Sequence, residues 1–109
     1  MIDISSNNEY FNISKDQLIR ELVYMKNKFQ FNILQDCFGL RKYENISIYY
    51  QLFSKKLSKV IFLFIEDCNS SIKSITSIFP NANWYEREIF EQFGLTFIGH
   101  PDLKKLMLY

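Results

Sequence analysis

The sequence is poor in residues that loosen a chain and in residues that hold metals. Three glycines, two prolines and a single alanine, Ala82, are spread over 109 residues. That leaves no flexible linker and no low-complexity tract, and no internal repeat divides the chain. Cys37 and Cys68 stand far apart, whereas metal and iron–sulfur centres need several converging thiolates, usually closely spaced. A cluster held by this chain alone is thereby excluded, and both cysteines read as buried thiols. His100 is the only histidine and has no companion ligands. Net charge is only +1, and the lysine doublets Lys55-Lys56 and Lys104-Lys105 fit solvated turns. Nucleic-acid binding, which needs a concentrated basic face, is not indicated. The longest apolar run, Val60 to Ile65, falls far short of the roughly 20 residues of a membrane helix. No membrane span is expected. The N-terminal segment carries Asp3, Glu9, Asp16 and Glu21 against one arginine, Arg20, which matches neither a signal nor a transit peptide. The chain is expected to be made where it works, or to be already processed.

What is present is apolar and aromatic. Hydrophobic residues make up 48% and aromatic residues 17%, enough for one core in a single domain over residues 1–109. Ser14 and Gln17 have capping-box spacing, and Ile13 and Leu18 that of a hydrophobic staple. Leu18, Leu22 and Met25 then recur with helical period, widened by Ile19 and Val23, in a helix expected to end before Phe29. Phe31 to Gln35 alternates weakly. Ile46, Ile48, Tyr50 and Leu52 alternate cleanly with polar or aromatic partners, which predicts a strand with one covered face. Ser54 to Ser58 reads as a polar turn. Val60 to Ile65 reads as a central strand buried on both faces, paired antiparallel with the preceding one. A second helix is expected from Ser70 or Ser71 to Phe79, with Ile72, Ile75, Ile78 and Phe79 on one side and Pro80 ending it. A third is expected from Asn83, with Glu86 completing a capping box and Tyr85, Ile89, Phe90 and Phe93 facing inward, until Gly94 closes it. Leu95 to Ile98 reads as a short strand, Gly99 as a turn, and Pro101 as the start of a last helical turn through Leu106. The fold class is α+β: a small, mainly antiparallel sheet covered by helices, with an N-terminal helix and a C-terminal motif helix.

Glu86, Arg87, Glu88 and His100 invite an acid–base reading, in which a stand-alone small-molecule enzyme would use Glu86, Glu88 and His100. Successive helical residues point about 100° apart, so the three charged neighbours cannot share one face. Arg87 lies one turn from Glu91, and Glu88 one turn from Gln92. The spacing favours several outward charge contacts over one active site. Read without context, Glu86 is a helix cap, Arg87 and Glu88 form a solvated face, and Trp84 is core. His100 suits a structural hydrogen bond or a helix start near Pro101.

The segment from Asn81 to Met107 resembles the signature region of the 30 kDa subunit family of respiratory complex I. The family pattern is Glu-Arg-Glu, two residues, an acid, two apolar residues, six residues, His or Lys, three residues, then a basic residue. Glu86, Arg87, Glu88, Glu91, Phe93, His100 and Lys104 fall on it in register, flanked by Trp84, Gly94, Gly99, Pro101, Asp102 and Leu103. Gln92 departs from the pattern's apolar pair. Family members continue beyond the position of Tyr109, so the usual C-terminal tail is expected either on a separate chain or lost. The resemblance implies a non-catalytic core subunit of the peripheral arm of proton-pumping NADH:ubiquinone oxidoreductase. Such a subunit braces the quinone-site (49 kDa type) and iron–sulfur subunits. Trp84, Glu86, Arg87, Glu88, Glu91, His100, Pro101, Asp102 and Lys104 would form the motif and subunit interface. NADH, FMN, iron–sulfur clusters and quinone would sit in partner subunits, with none bound by this chain. The implied place is the matrix side of the mitochondrial inner membrane or, alternatively, the cytoplasmic side of a bacterial plasma membrane. A composition rich in Ile, Asn, Lys, Phe and Tyr fits an AT-rich gene. The same fold in a membrane-bound hydrogenase or plastid NDH-type complex is the nearest alternative.

Overall fold

The computed structural model describes residues 9–66, 68 and 70–101. Strand β1, Tyr10–Asn12, comes first. At Ser14 the chain turns into its first helix: the Ser14 N–H donates to Gln17 Oε1 at 3.1 Å, as the capping-box spacing predicts. A 3-10 turn, Lys15–Gln17, runs into α1, Leu18–Phe29. Leu18, Leu22 and Met25 are fully buried on its inner stripe, each stabilising the fold by roughly 1.5–3 kcal/mol. The helix takes in Phe29 and stops at Gln30, whose φ of 61° is left-handed. Ser54 Oγ then donates to Phe29 O at 2.8 Å, tying the helix end to the sheet.

β2 (Ile33–Lys42), β3 (Asn45–Ser54) and β4 (Lys59–Ile65) follow, and the sheet order is β1-β4-β3-β2. Both hairpins are antiparallel, while β1 runs parallel to β4. β3 shows the expected alternation, with Ile46, Ile48, Tyr50 and Leu52 buried. β2 is far longer than the weak pattern at Phe31 to Gln35 suggests. A register shift between Leu34 and Asp36 explains this, because an extra residue there switches which side chains face the core. β4 lies inside the sheet as expected but is not buried on both faces. Ile61, Leu63 and Ile65 are buried, whereas Phe62 and Phe64 are half-buried on the opposite side. There Phe64 stacks on Tyr49 at 5.1 Å, Tyr49 on Phe38 at 5.3 Å, and Phe62 on Tyr10 at 4.7 Å. Aromatic rings shelter one another on that face, which is why the run reads as continuously apolar.

The helix expected over residues 70–79 does not form. Strand β5, Ser71–Lys73, pairs in parallel with β6, Thr96–Ile98, and a single turn carries the chain on to Phe79. Two causes are visible. The Thr76 N–H donates to Ser74 Oγ at 3.2 Å, a local bond that competes with helix. Ile72 and Ile75 are β-branched and suit an extended chain. All four apolar residues are still buried, Ile72, Ile75, Ile78 and Phe79. Their three-residue spacing marked the core correctly and the conformation wrongly. Lys26 of α1 reaches this turn, donating to Ile78 O at 3.0 Å with its ammonium 5.3 Å from the Phe79 ring.

The motif helix α2 spans Ala82–Phe93, with Asn81 before it making no side-chain capping bond, so the start expected at Asn83 is corrected. Gly94, with φ of 73°, closes it through an N–H donated to Phe90 O at 2.8 Å. Its C-terminal end sits directly on the sheet: a Cβ at Gly39 would lie 2.6 Å from the Phe93 ring. The expected α+β class holds, with parallel contacts limited to two short strand pairs. The turn expected after Pro101 lies outside the described residues.

Candidate functional site

α2 carries the motif residues and sorts them by face. Glu86 is fully buried. Its Oε1 accepts Ser74 Oγ at 2.6 Å and its Oε2 accepts the Ile75 N–H at 2.8 Å. The capping role is therefore corrected: Glu86 clamps the segment after β5 onto the helix. Burial pushes its carboxyl from the ordinary 4.5 to about 7, against the pull of the bonds from Ser74 and Ile75. The core beside it is also titratable. Burial, followed by the charges of Glu86 and Asp36, drives the Cys37 thiol well up. Burial, followed by the charges of Cys37, Glu86 and Cys68, does the same to the Tyr50 phenol, whose oxygen has no hydrogen-bond partner. Both cysteines are buried thiols, as their isolation in sequence suggested.

The rest of α2 is arranged differently. Trp84 is 60% exposed, which corrects its assignment to the core. The Arg87 guanidinium lies 6.0 Å from the Trp84 ring centre, and its Nε is buried without a hydrogen-bond partner. Asn83, one turn before Arg87, likewise holds its Oδ1 buried and unpartnered. Glu88, Glu91 and Gln92 are exposed. The Arg87 to Glu91 spacing yields no ion pair among the described residues. His100 is half-buried and its Nε2 donates to Asn83 O at 3.1 Å, the structural bond expected of it. Pro101 is exposed, while Asp102 and Lys104 lie outside the described residues.

The structure seals Glu86 against Ser74 and Ile75, leaves Trp84 exposed, holds Asn83 and Arg87 half-buried, and ties His100 to the main chain of Asn83. Glu86, Glu88 and His100 do not form an acid–base group, because Glu86 is sealed and bonded while Glu88 faces solvent. Sequence reasoning missed Ser74 as a partner of Glu86, and Asn83 as part of the Arg87 face. A polar Ser-x-Thr break in an isoleucine pattern was the available signal for the first; Asn83 had none once it was read as a cap. Among the described residues no three His, Cys, Asp or Glu side chains are placed to hold a metal ion. A groove of about 310 Å³ on α1, lined by Gln17, Arg20, Glu21 and Tyr24, includes no motif residue.

Residues 11–109 match the family model of the 30 kDa subunit of respiratory-chain NADH dehydrogenase. The chain belongs to the complex I 30 kDa subunit family. Family relatives include the C/D polypeptide of NADH-quinone oxidoreductase from Proteus mirabilis, 32% identical over 88% of this chain and 18% of that protein. The C/D polypeptide from Cronobacter sakazakii is 41% identical over 59% of this chain and 11% of that protein. The chain thus spans less than a fifth of either. Among solved structures, the trypsin-resistant fragment of Nqo5 superposes with a TM-score of 0.71 at 26% identity, covering 94% of this chain and 87% of that one. A chain of an archaeal membrane-bound sulfane sulfur reductase shares the fold, with a TM-score of 0.81 at 19% identity. The 30 kDa family resemblance read from the motif is borne out. Among the described residues no helix is long and apolar enough to cross a membrane.

Proposed function

We propose that this chain is a non-catalytic subunit of the peripheral arm of a proton-pumping NADH:quinone oxidoreductase, where it braces the quinone-site (49 kDa type) and iron–sulfur subunits. One observation carries the reading: the motif helix leaves Trp84, Glu88 and Glu91 exposed, while its one sealed acid, Glu86, is fully engaged within the fold. An exposed indole with a guanidinium 6.0 Å from its ring centre is typical of interface anchors. The C/D designation of the relatives supports a close companion of the D type. In this reading NADH, FMN, the iron–sulfur clusters and the quinone belong to neighbouring subunits, and this chain contributes geometry. Bacterial relatives favour the cytoplasmic face of a bacterial plasma membrane over the mitochondrial matrix. Arg87→Ala tests the role: assembled complex and quinone reductase activity should fall together. Normal assembly with lost turnover would instead place chemistry on this chain.

A further inference from the structure

We infer that α2 shuts a strand-addition site on the outer edge of β2, and that the occupant it keeps out is the same edge of a second copy of this chain. The inference is independent of the proposed subunit role. The four-stranded sheet ends in β1 on one side and β2 on the other. β1 offers three residues, a poor template for another strand, whereas β2 offers ten. α2 lies along β2, meeting it at Leu34 through Asn81 and at Gly39 through Phe93. The lengths match, about 18 Å of helix against about 16 Å of strand. At the Leu34 end helix side chains take two main-chain oxygens. Asn81 Nδ2 donates to Leu34 O at 2.9 Å, and the Tyr85 hydroxyl donates to Gln35 O at 3.1 Å. The Cys37 N–H is engaged within the strand, donating to Asp36 Oδ1 at 2.8 Å. Groups bonded in this way are withheld from a new ladder.

The rest of β2 is self-complementary. Leu40, Arg41 and Lys42 are exposed. A two-residue turn, Tyr43-Glu44, closes on the Lys42–Asn45 pair, so residues 42, 40 and 38 turn their main-chain groups toward β3 while 41, 39 and 37 turn theirs outward. The bond from the Cys37 N–H to a side chain agrees with that direction. Two β2 strands laid antiparallel about Gly39 would join 37, 39 and 41 of one copy to 41, 39 and 37 of the other. The same register sets Phe38 against Leu40 and Asp36 against Lys42, each twice, on one face of the sheet. An apolar pair flanked by opposite charges, repeated by a two-fold axis, suits an isologous contact. In that register the second copy's turn residue 43 arrives opposite Gln35, the position that Tyr85 occupies.

The test is sedimentation equilibrium of the purified full chain between about 0.01 mM and about 0.3 mM, a range that brackets weak self-association. Asn81→Ala combined with Tyr85→Phe should strengthen self-association about tenfold or more over the parent, because each guarding bond is worth roughly two- to tenfold. Asn81→Ala alone should give about two- to tenfold. Asn81 is exposed and makes no capping bond, so this single variant keeps its fold and carries the test if the double variant loses helix by circular dichroism. Adding Lys42→Asp, also at an exposed position, should return either variant to the parent's behaviour, since it sets two acids against each other twice. The Gly39 and Arg41 amides should gain protection from hydrogen exchange only in the self-associating variants. Variants that stay as monomeric as the parent would overturn the inference. So would self-association that Lys42→Asp leaves unchanged, or a parent chain that pairs as strongly as the double variant.

Discussion

Glu86 and Arg87 are adjacent in sequence, yet one is sealed against Ser74 and Ile75 while the other lies at the surface over Trp84. The inner side of α2 uses its polar residue to hold the protein's own turn in place. Elsewhere on the helix Trp84, Glu88 and Glu91 are exposed, while Asn83 Oδ1 and Arg87 Nε are buried without hydrogen-bond partners. A charged motif can therefore divide, with one member holding the fold together and others left to solvent. Chemical similarity along the string Glu-Arg-Glu hides that division.

The comparison breaks most sharply at Glu86. Glu86→Leu should cost about 3–4 kcal/mol in denaturant unfolding of the full chain, because the Ile75 N–H and Ser74 hydroxyl lose their acceptor. If that variant unfolds like the parent, the clamp is not structural. Next comes pH. The folded carboxyl titrates near 7, above its ordinary 4.5, so the native state holds this proton more tightly. The stability it provides is complete below about 4.5 and is lost as pH rises through about 7, a fall of about 3 kcal/mol. Glu86→Gln keeps an acceptor for Ile75 and a hydrogen-bonding group for Ser74 while removing the titration. Its unfolding curves from pH 4.5 to 8 should be flatter than the parent's, and equal slopes would show that Glu86 ionises freely. A smaller effect is expected at Tyr50, whose buried hydroxyl bonds nothing. Tyr50→Phe should be neutral or stabilising by up to about 1 kcal/mol, and a clear loss of stability would mean that the hydroxyl is satisfied. Smallest of all, Trp84→Ala should shift folding stability by less than about 0.5 kcal/mol, read by thermal melting, whatever it does to assembly.

Much of this arrangement was legible beforehand. The β3–β4 hairpin follows from strict alternation meeting a polar turn, and α1 from a cap and a stripe that agree. The segment after Ser70 was not legible, because isoleucines three apart serve equally for a helix face and for a strand followed by a turn. What decided between them was a carboxylate far along the chain taking the Ile75 N–H. Asn83 and Glu86 fit a capping box at the level of letters. Tertiary contacts moved the helix start to Ala82 and turned Glu86 inward. Trp84 was assigned to the core because large aromatic residues usually lie there. It is instead 60% exposed, with the Arg87 guanidinium 6.0 Å from its ring centre.

Gly39 sits where any side chain would collide with the ring of Phe93, and Arg41 lies over the same ring at 5.6 Å. Two positions remote in sequence are thereby coupled through one close approach. An alanine at 39 would force the Phe93 ring to shift. A bare α-carbon on a strand thus helps seat the last turn of the helix on the sheet.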